Sequence, residues 1–309
     1  MKILVTGGAG FIGKHLVKLL IKKGNEVTIF DNFSNSSKES ILHLIEIGAK
    51  CIEGDIRNES EIFDATKNKN IIIHLAAKIS VEESFKNPSD TFETNVDGTK
   101  NVLIACKKNS IKKMIVASSA AIYGESVSQI QLNEEAETNP ISPYGKSKLI
   151  MEKEINEFTS KYKINCVILR FFNIYGIGQS NEYAGVISKF INNLQNNLSL
   201  IIYGNGNQTR DFVAIGDIIN LIFQICNLKF EKTNSYNIGN SKAISIIELA
   251  KLMIHISKKD IKIICKEKKK GDILHSVAKI DKAKEKLNYE PKITLKQGIE
   301  EFLFHQNNI

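Results

Sequence analysis

Cysteine, histidine and arginine are scarce in this chain of 309 residues, and each scarcity removes a class of function. The five cysteines, Cys51, Cys106, Cys166, Cys226 and Cys265, are scattered without redox or metal-ligand spacing, so they read as buried free thiols and not as a disulfide framework. His15, His43, His74, His255, His275 and His305 form no ligand pattern either, and no metal is expected. No apolar run is long enough to span a bilayer, and the N-terminal one is short and passes directly into glycines. The chain is therefore expected to be soluble, cytoplasmic and without a membrane partner. Arginine occurs only as Arg57, Arg170 and Arg210, although the formal net charge is +8. The excess is lysine, spread along the chain, with Lys266 to Lys270 the only dense cluster and no basic run interleaved with aromatics. A nucleic-acid partner is not expected on that pattern, and the three arginines become the informative cations. There is no internal repeat or low-complexity tract.

What is present begins at the N-terminus. An apolar strand, Lys2 to Thr6, runs into Gly7-Gly8-Ala9-Gly10-Phe11-Ile12-Gly13 and then an amphipathic segment over Lys14 to Lys23. This is strand, phosphate loop, helix. Gly7 permits the tight turn, Gly10 lets the backbone approach a pyrophosphate, and Gly13 allows helix to pack closely on strand. A second strand, Glu26 to Phe30, ends in Asp31-Asn32, where a dinucleotide unit places its ribose-binding acid. A carboxylate there accepts from a ribose 2′-hydroxyl and repels a 2′-phosphate, which favours NAD over NADP. Lys38 reads as solvated surface. The strand Lys50 to Gly54 ends in Asp55-Ile56, placed to meet an adenine, and the strand Ile71 to Leu75 ends in Ala76-Ala77, small enough to leave room for a pyrophosphate.

Downstream lie Ser119 and then Tyr144-Gly145-Lys146-Ser147-Lys148. A tyrosine with a reference pKa of ~10 serves as a base near neutral pH only if its phenol is pulled down. On a helix Tyr144 and Lys148 are one turn apart on one face. At ~4 Å and an effective dielectric of ~20 their attraction is about 4 kcal/mol, roughly three pKa units. Lys148 is expected to supply that shift, and Ser119 to hydrogen-bond the same substrate oxygen.

Strands alternate with helical patterns through about Phe172, which predicts an α/β fold: a Rossmann-type doubly wound parallel sheet. After that the alternation breaks. Helical segments over 185–196, 217–227, 246–257 and 295–306, separated by short strands, predict a smaller mixed α/β substrate-binding cap domain. The expected division is 1–172 and 173–309, with segments of the second part returning to the first.

These motifs resemble, in order, those of the extended short-chain dehydrogenase/reductases of the NAD-dependent epimerase/dehydratase family, and within it most closely the UDP-galactose and UDP-N-acetylglucosamine 4-epimerases. The glycine spacing G-x-x-G-x-x-G fits, as do Gly54-Asp55-Ile56, His74 to Ala77, Asn95-Val96-x-Gly98-Thr99, Ser118 to Gly124, Pro143 to Lys148 and Leu169 to Asn173. The resemblance covers essentially the whole chain. It implies NAD contacts from Gly7, Gly10, Phe11, Ile12, Gly13, Asp31, Asn32, Asp55, Ile56, Leu75, Ala76, Ala77, Asn95, Tyr144, Lys148 and Phe171, and catalysis by Ser119, Tyr144 and Lys148. For a UDP-sugar it implies Ser119, Tyr144, Asn173, Val186, Tyr203, Arg210, Lys269, Asp272 and Ser276, with Arg210 holding the diphosphate. It also implies a homodimer through a four-helix bundle of the helices near Thr94 to Lys107 and Tyr144 to Tyr162.

Departures sharpen the expected activity. The 4,6-dehydratases carry an Asp-Glu pair where this chain has Ala120-Ala121, so dehydration lacks an acid and a base. Lys269 stands where relatives usually have arginine, keeping the charge and losing the bidentate fork. Ser276 stands where relatives restricted to glucose and galactose carry tyrosine, leaving space for a 2-acetamido group; a serine facing solvent is the competing reading. The expected reaction is inversion at C4 through a 4-keto intermediate. A 4-reductase, a decarboxylase, a uronic-acid epimerase and a non-catalytic nucleotide sensor are the alternatives on the same framework.

Overall fold

The computed structural model describes residues 1–125, 130–179, 185–268 and 273–305. The chain opens β1 (Lys2–Thr6), α1 (Phe11–Lys22), β2 (Glu26–Asp31), α2 (Leu42–Glu46), β3 (Lys50–Glu53), α3 (Glu59–Thr66) and β4 (Ile71–His74). Short helices α4 (Val81–Lys86) and α5 (Pro88–Phe92) lead through a π-helical turn, Glu93–Asp97, into α6 (Gly98–Lys108), β5 (Lys113–Ser119), α7 (Pro143–Tyr162) and β6 (Asn165–Phe171). There follow β7 (Asn173–Tyr175), α8 (Val186–Gln195), β8 (Leu200–Tyr203), β9 (Thr209–Ala214), α9 (Ile215–Asn227), β10 (Asn234–Ile238), β11 (Ala243–Ser245), α10 (Ile246–Ser257), β12 (Ile263–Lys266), β13 (His275–Ser276), α11 (Asp281–Leu287) and α12 (Leu295–His305). The first helix starts three residues before the amphipathic run that announces it, because Gly10 serves as its N-cap.

Seven strands form one sheet in the order β10-β6-β5-β4-β1-β2-β3. Pairing is parallel from β3 through β2, β1 and β4 to β5. The chain steps outward from β1 to β3, then returns to β4 on the other side of β1 and steps outward again. Right-handed crossovers in the two directions put helices on opposite faces, which is the Rossmann-type doubly wound arrangement. The switch point lies between β1 and β4, and their carboxyl ends open the crevice that α/β sheets use for ligands. The sheet's core joins Met114 and Val116 of β5 and Cys166 and Ile168 of β6 to Val102, Leu103 and Cys106 of α6 and to Met151 and Ile155 of α7. Each such fully buried side chain contributes about 1.5–3 kcal/mol. This burial holds α7 against the sheet along one face.

The chain divides into two compact units, Met1–Ile122 with Pro140–Arg170 and Ile219–Tyr236, and Tyr123–Asn139 with Phe171–Ile218 and Asn237–Ile309. In the second unit β9 pairs antiparallel with β11 and parallel with β13 and β7, while β8 pairs with β12. Helices α8, α10 and α12 supply its core, with Phe190, Leu249, Met253 and Ile299 fully buried. Among the described residues no helix is long and apolar enough to cross a membrane, and no group of three or more His, Cys, Asp or Glu could hold a metal.

Candidate active site

At the carboxyl end of β1 the backbone turns through Gly7, whose φ of +69° lies in the left-handed region. A Cβ on Gly7 would also sit 2.6 Å from the Ala76 amide nitrogen, so glycine is required twice over. A Cβ on Gly13 would run into the Gly7 carbonyl and the Gly8 backbone. Gly10 caps α1 without a side chain, leaving the first-turn amides of a 12-residue helix directed at whatever lies before them. That is an anion cradle. Asp31, at the end of β2, accepts from Ala9 N and Phe33 N, each at 2.9 Å. The first of these bonds ties the carboxylate to the glycine loop. Two bonds occupy half of the roughly four acceptor sites of a carboxylate, which leaves capacity for a ribose diol. Burial pushes the Asp31 carboxyl up, against the pull of those two amides.

Asp55 is held differently. Arg57 donates to it from Nε and Nη2, at 3.0 and 2.6 Å, and Asn32 Nδ2 donates at 2.9 Å. The Arg57 guanidinium holds the carboxyl down at about 2. Lys38 pairs with Glu53 on the surface, as a solvated lysine would. Ile56 packs on Gly98, where a Cβ would meet its side chain at 2.6 Å. Leu75 N donates to Thr6 O, and Ala76 N lies 3.4 Å from Thr6 Oγ1, so Leu75-Ala76-Ala77 follows the strand end beside the glycine loop. Asn95 is buried in the π-helical turn, a feature frequent at functional sites. Its Nδ2 donates to Lys78 O at 3.0 Å and to Ser147 Oγ at 2.9 Å, and its Oδ1 accepts from Lys78 N at 2.8 Å. One side chain thus joins the loop after β4 to α7. Dinucleotide chemistry fits these residues: amides for a pyrophosphate, a carboxylate for a ribose, small side chains between.

The start of α7 is fixed locally. Ser142 caps it through Gly145 N at 3.1 Å and Pro143 occupies the first turn, a combination contributing about 1 kcal/mol through the cap. A Cβ on Gly145 would lie 2.5 Å from the Ala121 carbonyl. Glycine therefore lets the helix close on the turn after β5. Tyr144 follows, its N–H donating to Ser84 Oγ at 3.1 Å, and its half-buried phenol lies close enough to Ser119 for that hydroxyl to act on its pKa. Ser119 Oγ also accepts from Ala121 N at 3.1 Å. Lys148 lies one turn on, buried, with Nζ donating to Ala117 O at 2.9 Å.

The expected depression of the Tyr144 phenol by Lys148 is not what the structure gives. Burial raises the Tyr144 pKa, and the neighbouring Ser119 hydroxyl is what pulls it down. The physical reason is that the Lys148 ammonium is turned to the Ala117 carbonyl, and its own burial pushes it down to about 8, with Glu152 pulling the other way.

Beneath these residues lies a buried polar relay with no counterpart among the expected site residues. Thr99 Oγ1 donates to Asn95 O at 2.7 Å. It must therefore accept from His74 Nε2–H, at 2.9 Å, leaving His74 Nδ1 to accept from Thr6 Oγ1 at 2.7 Å. The imidazole is neutral, its pKa pushed to about 3 by burial and then by the Lys148 charge. Glu152, a further turn beyond Lys148, is also buried. It accepts from Ser118 Oγ at 2.5 Å and from Arg170 Nε and Nη2, the latter at 2.8 Å. A carboxylate at the inward-facing position four residues past Lys148 was the available signal for it.

In the second unit, Asn173, Arg210 and Ser276 lie on neighbouring strands. Asn173 pairs in register with Phe212 and donates to Asp211 O at 3.1 Å; Arg210 pairs with Ser276. Ser276 is 8% exposed, so it does not face solvent. Arg210 Nη1 donates to Thr209 O at 2.9 Å. The Asp211 carboxylate points to the opposite face of β9, where it accepts from the amides of Asn240, Ser241 and Ala278. Tyr203 ends β8, Val186 opens α8 behind Gly185, and Phe171 is buried at the end of β6. Lys269 and Asp272 lie outside the described residues.

A family model described as NAD dependent epimerase/dehydratase matches residues 3–239. The chain is 39% identical over 300 residues to a Methanocaldococcus jannaschii protein provisionally named UDP-glucose 4-epimerase, covering 96% of this chain and 95% of that one. A solved Thermotoga maritima UDP-glucose 4-epimerase with UDP-glucose is 33% identical with a TM-score of 0.94, covering 100% of both chains. A Methanobrevibacter ruminantium UDP-N-acetylglucosamine 4-epimerase in complex with UDP-N-acetylmuramic acid is 32% identical with a TM-score of 0.93, covering 100% of this chain and 99% of that one.

Proposed function

The chain belongs to the NAD-dependent epimerase/dehydratase family, with NAD as its cofactor, and from that premise we propose that it inverts C4 of a UDP-sugar. One arrangement carries the proposal: a half-buried tyrosine beside Ser119, with Lys148 on the same helix face, next to a turn that holds Ala120-Ala121 and no acid–base pair. Bound NAD supplies the acceptor and later the donor of the C4 hydride, and its positive ring. Ser119 orients the sugar C4 hydroxyl by hydrogen bonding. Tyr144 takes the hydroxyl proton and returns it after the keto-sugar has presented its other face. Lys148 holds the nicotinamide ribose. The amides of the Gly7 to Gly13 loop and the Asp31 carboxylate bind the rest of the dinucleotide.

In the second unit Arg210 and Asn173 hold the diphosphate through the turnover, the planar guanidinium suiting two phosphate oxygens at once. Tyr203, Val186, Lys269 and Asp272 serve the nucleoside. Ser276, small and beside Arg210 in the strand pairing, admits a 2-acetamido group, so both the plain and the N-acetylated pairs are substrates. Two copies associate through α6 and α7; a gel-filtration mass near 34.6 kDa would count against that pairing.

The test is incubation of the purified protein separately with UDP-glucose, UDP-galactose, UDP-N-acetylglucosamine and UDP-N-acetylgalactosamine, with NAD added and the products resolved by chromatography. Interconversion of a C4 pair without net NADH is the expected result. Inertness toward all four sugars sinks the 4-epimerase assignment.

A further inference from the structure

Three consecutive residues at the end of β5 meet three residues spaced by one turn along α7. The Ala117 carbonyl accepts from Lys148 Nζ at 2.9 Å, Ser118 Oγ donates to Glu152 at 2.5 Å, and Ser119 lies close enough to Tyr144 to lower its pKa. Residues 144, 148 and 152 share one helix face. The helix is therefore registered on the strand by side chains as well as by apolar packing. Arg170 of β6 closes the arrangement from the other side, with Nε 3.1 Å from both Glu152 oxygens and Nη2 2.8 Å from Oε2, and Ser235 Oγ lies 3.4 Å from Oε2. Glu152 is 2% exposed and Arg170 9%.

The charges around Lys148 can be named element by element. Its own helix presents Tyr144 and Glu152. From β4 comes His74, neutral because its two nitrogens are committed to Thr6 and Thr99. From β5 come a carbonyl and two hydroxyls. From β6 comes Arg170, with the buried Cys166 thiol also feeling Glu152. Arg170 pairs with the Glu152 carboxylate directly, and Lys148, held by the Ala117 carbonyl, feels the same charge from one helical turn away. Removal of that anion would leave two like charges in a water-poor site, where burial already acts against the ammonium.

Resting on the proposed chemistry of Tyr144 and Lys148, we infer that Glu152 is the positioning residue of this site: it holds Lys148 against the end of β5 and in register with Tyr144. It touches neither substrate nor cofactor and acts through the lysine.

Glu152→Gln keeps the shape and an acceptor for Ser118 while removing the charge. Because it leaves Arg170 buried without a counter-charge, Glu152→Gln/Arg170→Leu is the companion that restores neutrality and folds if the single variant does not. The primary readout is the heteronuclear NMR titration of the Lys148 ammonium in 15N-lysine-labelled protein with NAD bound, assigned by Lys148→Met. The midpoint should fall by about one pH unit in Glu152→Gln, the order by which loss of a nearby opposite charge shifts a group, and by less in the double variant, which also removes the like charge of Arg170. The alkaline limb of kcat/KM should move acidward with it, kcat at pH 8 should drop about tenfold, and KM for the UDP-sugar should change less than twofold. An unmoved Lys148 midpoint in a folded variant overturns the inference, whether or not activity falls. The NMR titration reads the lysine directly, so it decides the matter even if none of the four UDP-sugars reacts and the epimerase assignment fails.

Discussion

In the first unit the buried carboxylate of Glu152 faces a guanidinium; in the second the buried carboxylate of Asp211 faces three peptide N–H groups, at 2.7, 2.9 and 3.0 Å. Both are removed from water, and they are compensated by different means. Glu152 sits on the helix that carries Tyr144 and Lys148, and its partner is a full positive charge. Asp211 sits where β9 must hold the 240–241 turn and Ala278, and peptide dipoles suffice for that. Burial pushes the Asp211 carboxyl up to about 6 in spite of those dipoles. Under the proposed reaction this is a division of labour, with the first unit built around charges that change during turnover and the second around a frame that presents Arg210 of β9, and Ser276 beside it on β13, away from Asp211.

The largest effect should come from the first unit. Tyr144→Phe removes the proposed proton acceptor and should lower kcat by about 10³-fold, within the range of a general acid–base group, with bound NAD and thermal stability retained. Activity within tenfold of the parent would take Tyr144 out of the reaction. Arg210→Leu should act on the other side of the comparison. Loss of a charged donor pair is worth about 1.5–3 kcal/mol, so KM for the UDP-sugar should rise on the order of 10- to 100-fold while kcat changes less than threefold. A kcat defect as large as that of Tyr144→Phe would end the division of labour.

The two units also differ in how far their sequences disclose them. In the first, the candidate site is built on backbone geometry at strand ends, which forces particular residues into short spans: Gly7 for its φ, Gly13 and Gly145 for close approach, Ser142 and Pro143 to start a helix. Such constraints are local and can be read in order. Glu152 escaped because its partners, Ser118 and Arg170, are distant in sequence and meet it only once β5, β6 and α7 have packed. The Tyr144 phenol escaped for a related reason, since helix spacing fixes which residues share a face and not which way a lysine ammonium turns. In the second unit, Ser276 lies beside Arg210 through a two-residue strand, too short to show a period. Its burial decides between an inward and a solvent-facing serine, and burial is a property of the assembled sheet.

A smaller effect tests the neighbourhood of Arg210. Ser276→Tyr should reduce kcat/KM for the N-acetylated pair about tenfold relative to the plain pair, the scale of a steric discrimination in a shaped pocket. Equal loss on both pairs would mean that position 276 does not gate the 2-substituent.

The most delicate prediction sets the two units against each other by pH. His74 is held neutral with a pKa of about 3, below the ~6.5 of an exposed imidazole. Between those values the unfolded chain binds the proton and the native one does not, so this group makes stability fall as pH falls, by up to about 1.4 kcal/mol per unit. Asp211 has the opposite sign. Its folded pKa of about 6 lies above the unfolded ~3.9, so between them the native state holds the extra proton, and the stability it contributes is lost as pH rises. From pH 4 to 6 the two slopes oppose and largely cancel. Asp211→Asn should unmask the histidine, so that urea-unfolding stability drops, relative to the parent, by about 2–3 kcal/mol between pH 6 and pH 4. His74→Asn should do the reverse and gain stability on acidification over the same interval. Parallel pH dependences for the parent and both variants would mean that neither buried group titrates with folding, and that the contrast between a charge-compensated and a dipole-compensated interior has no thermodynamic weight here.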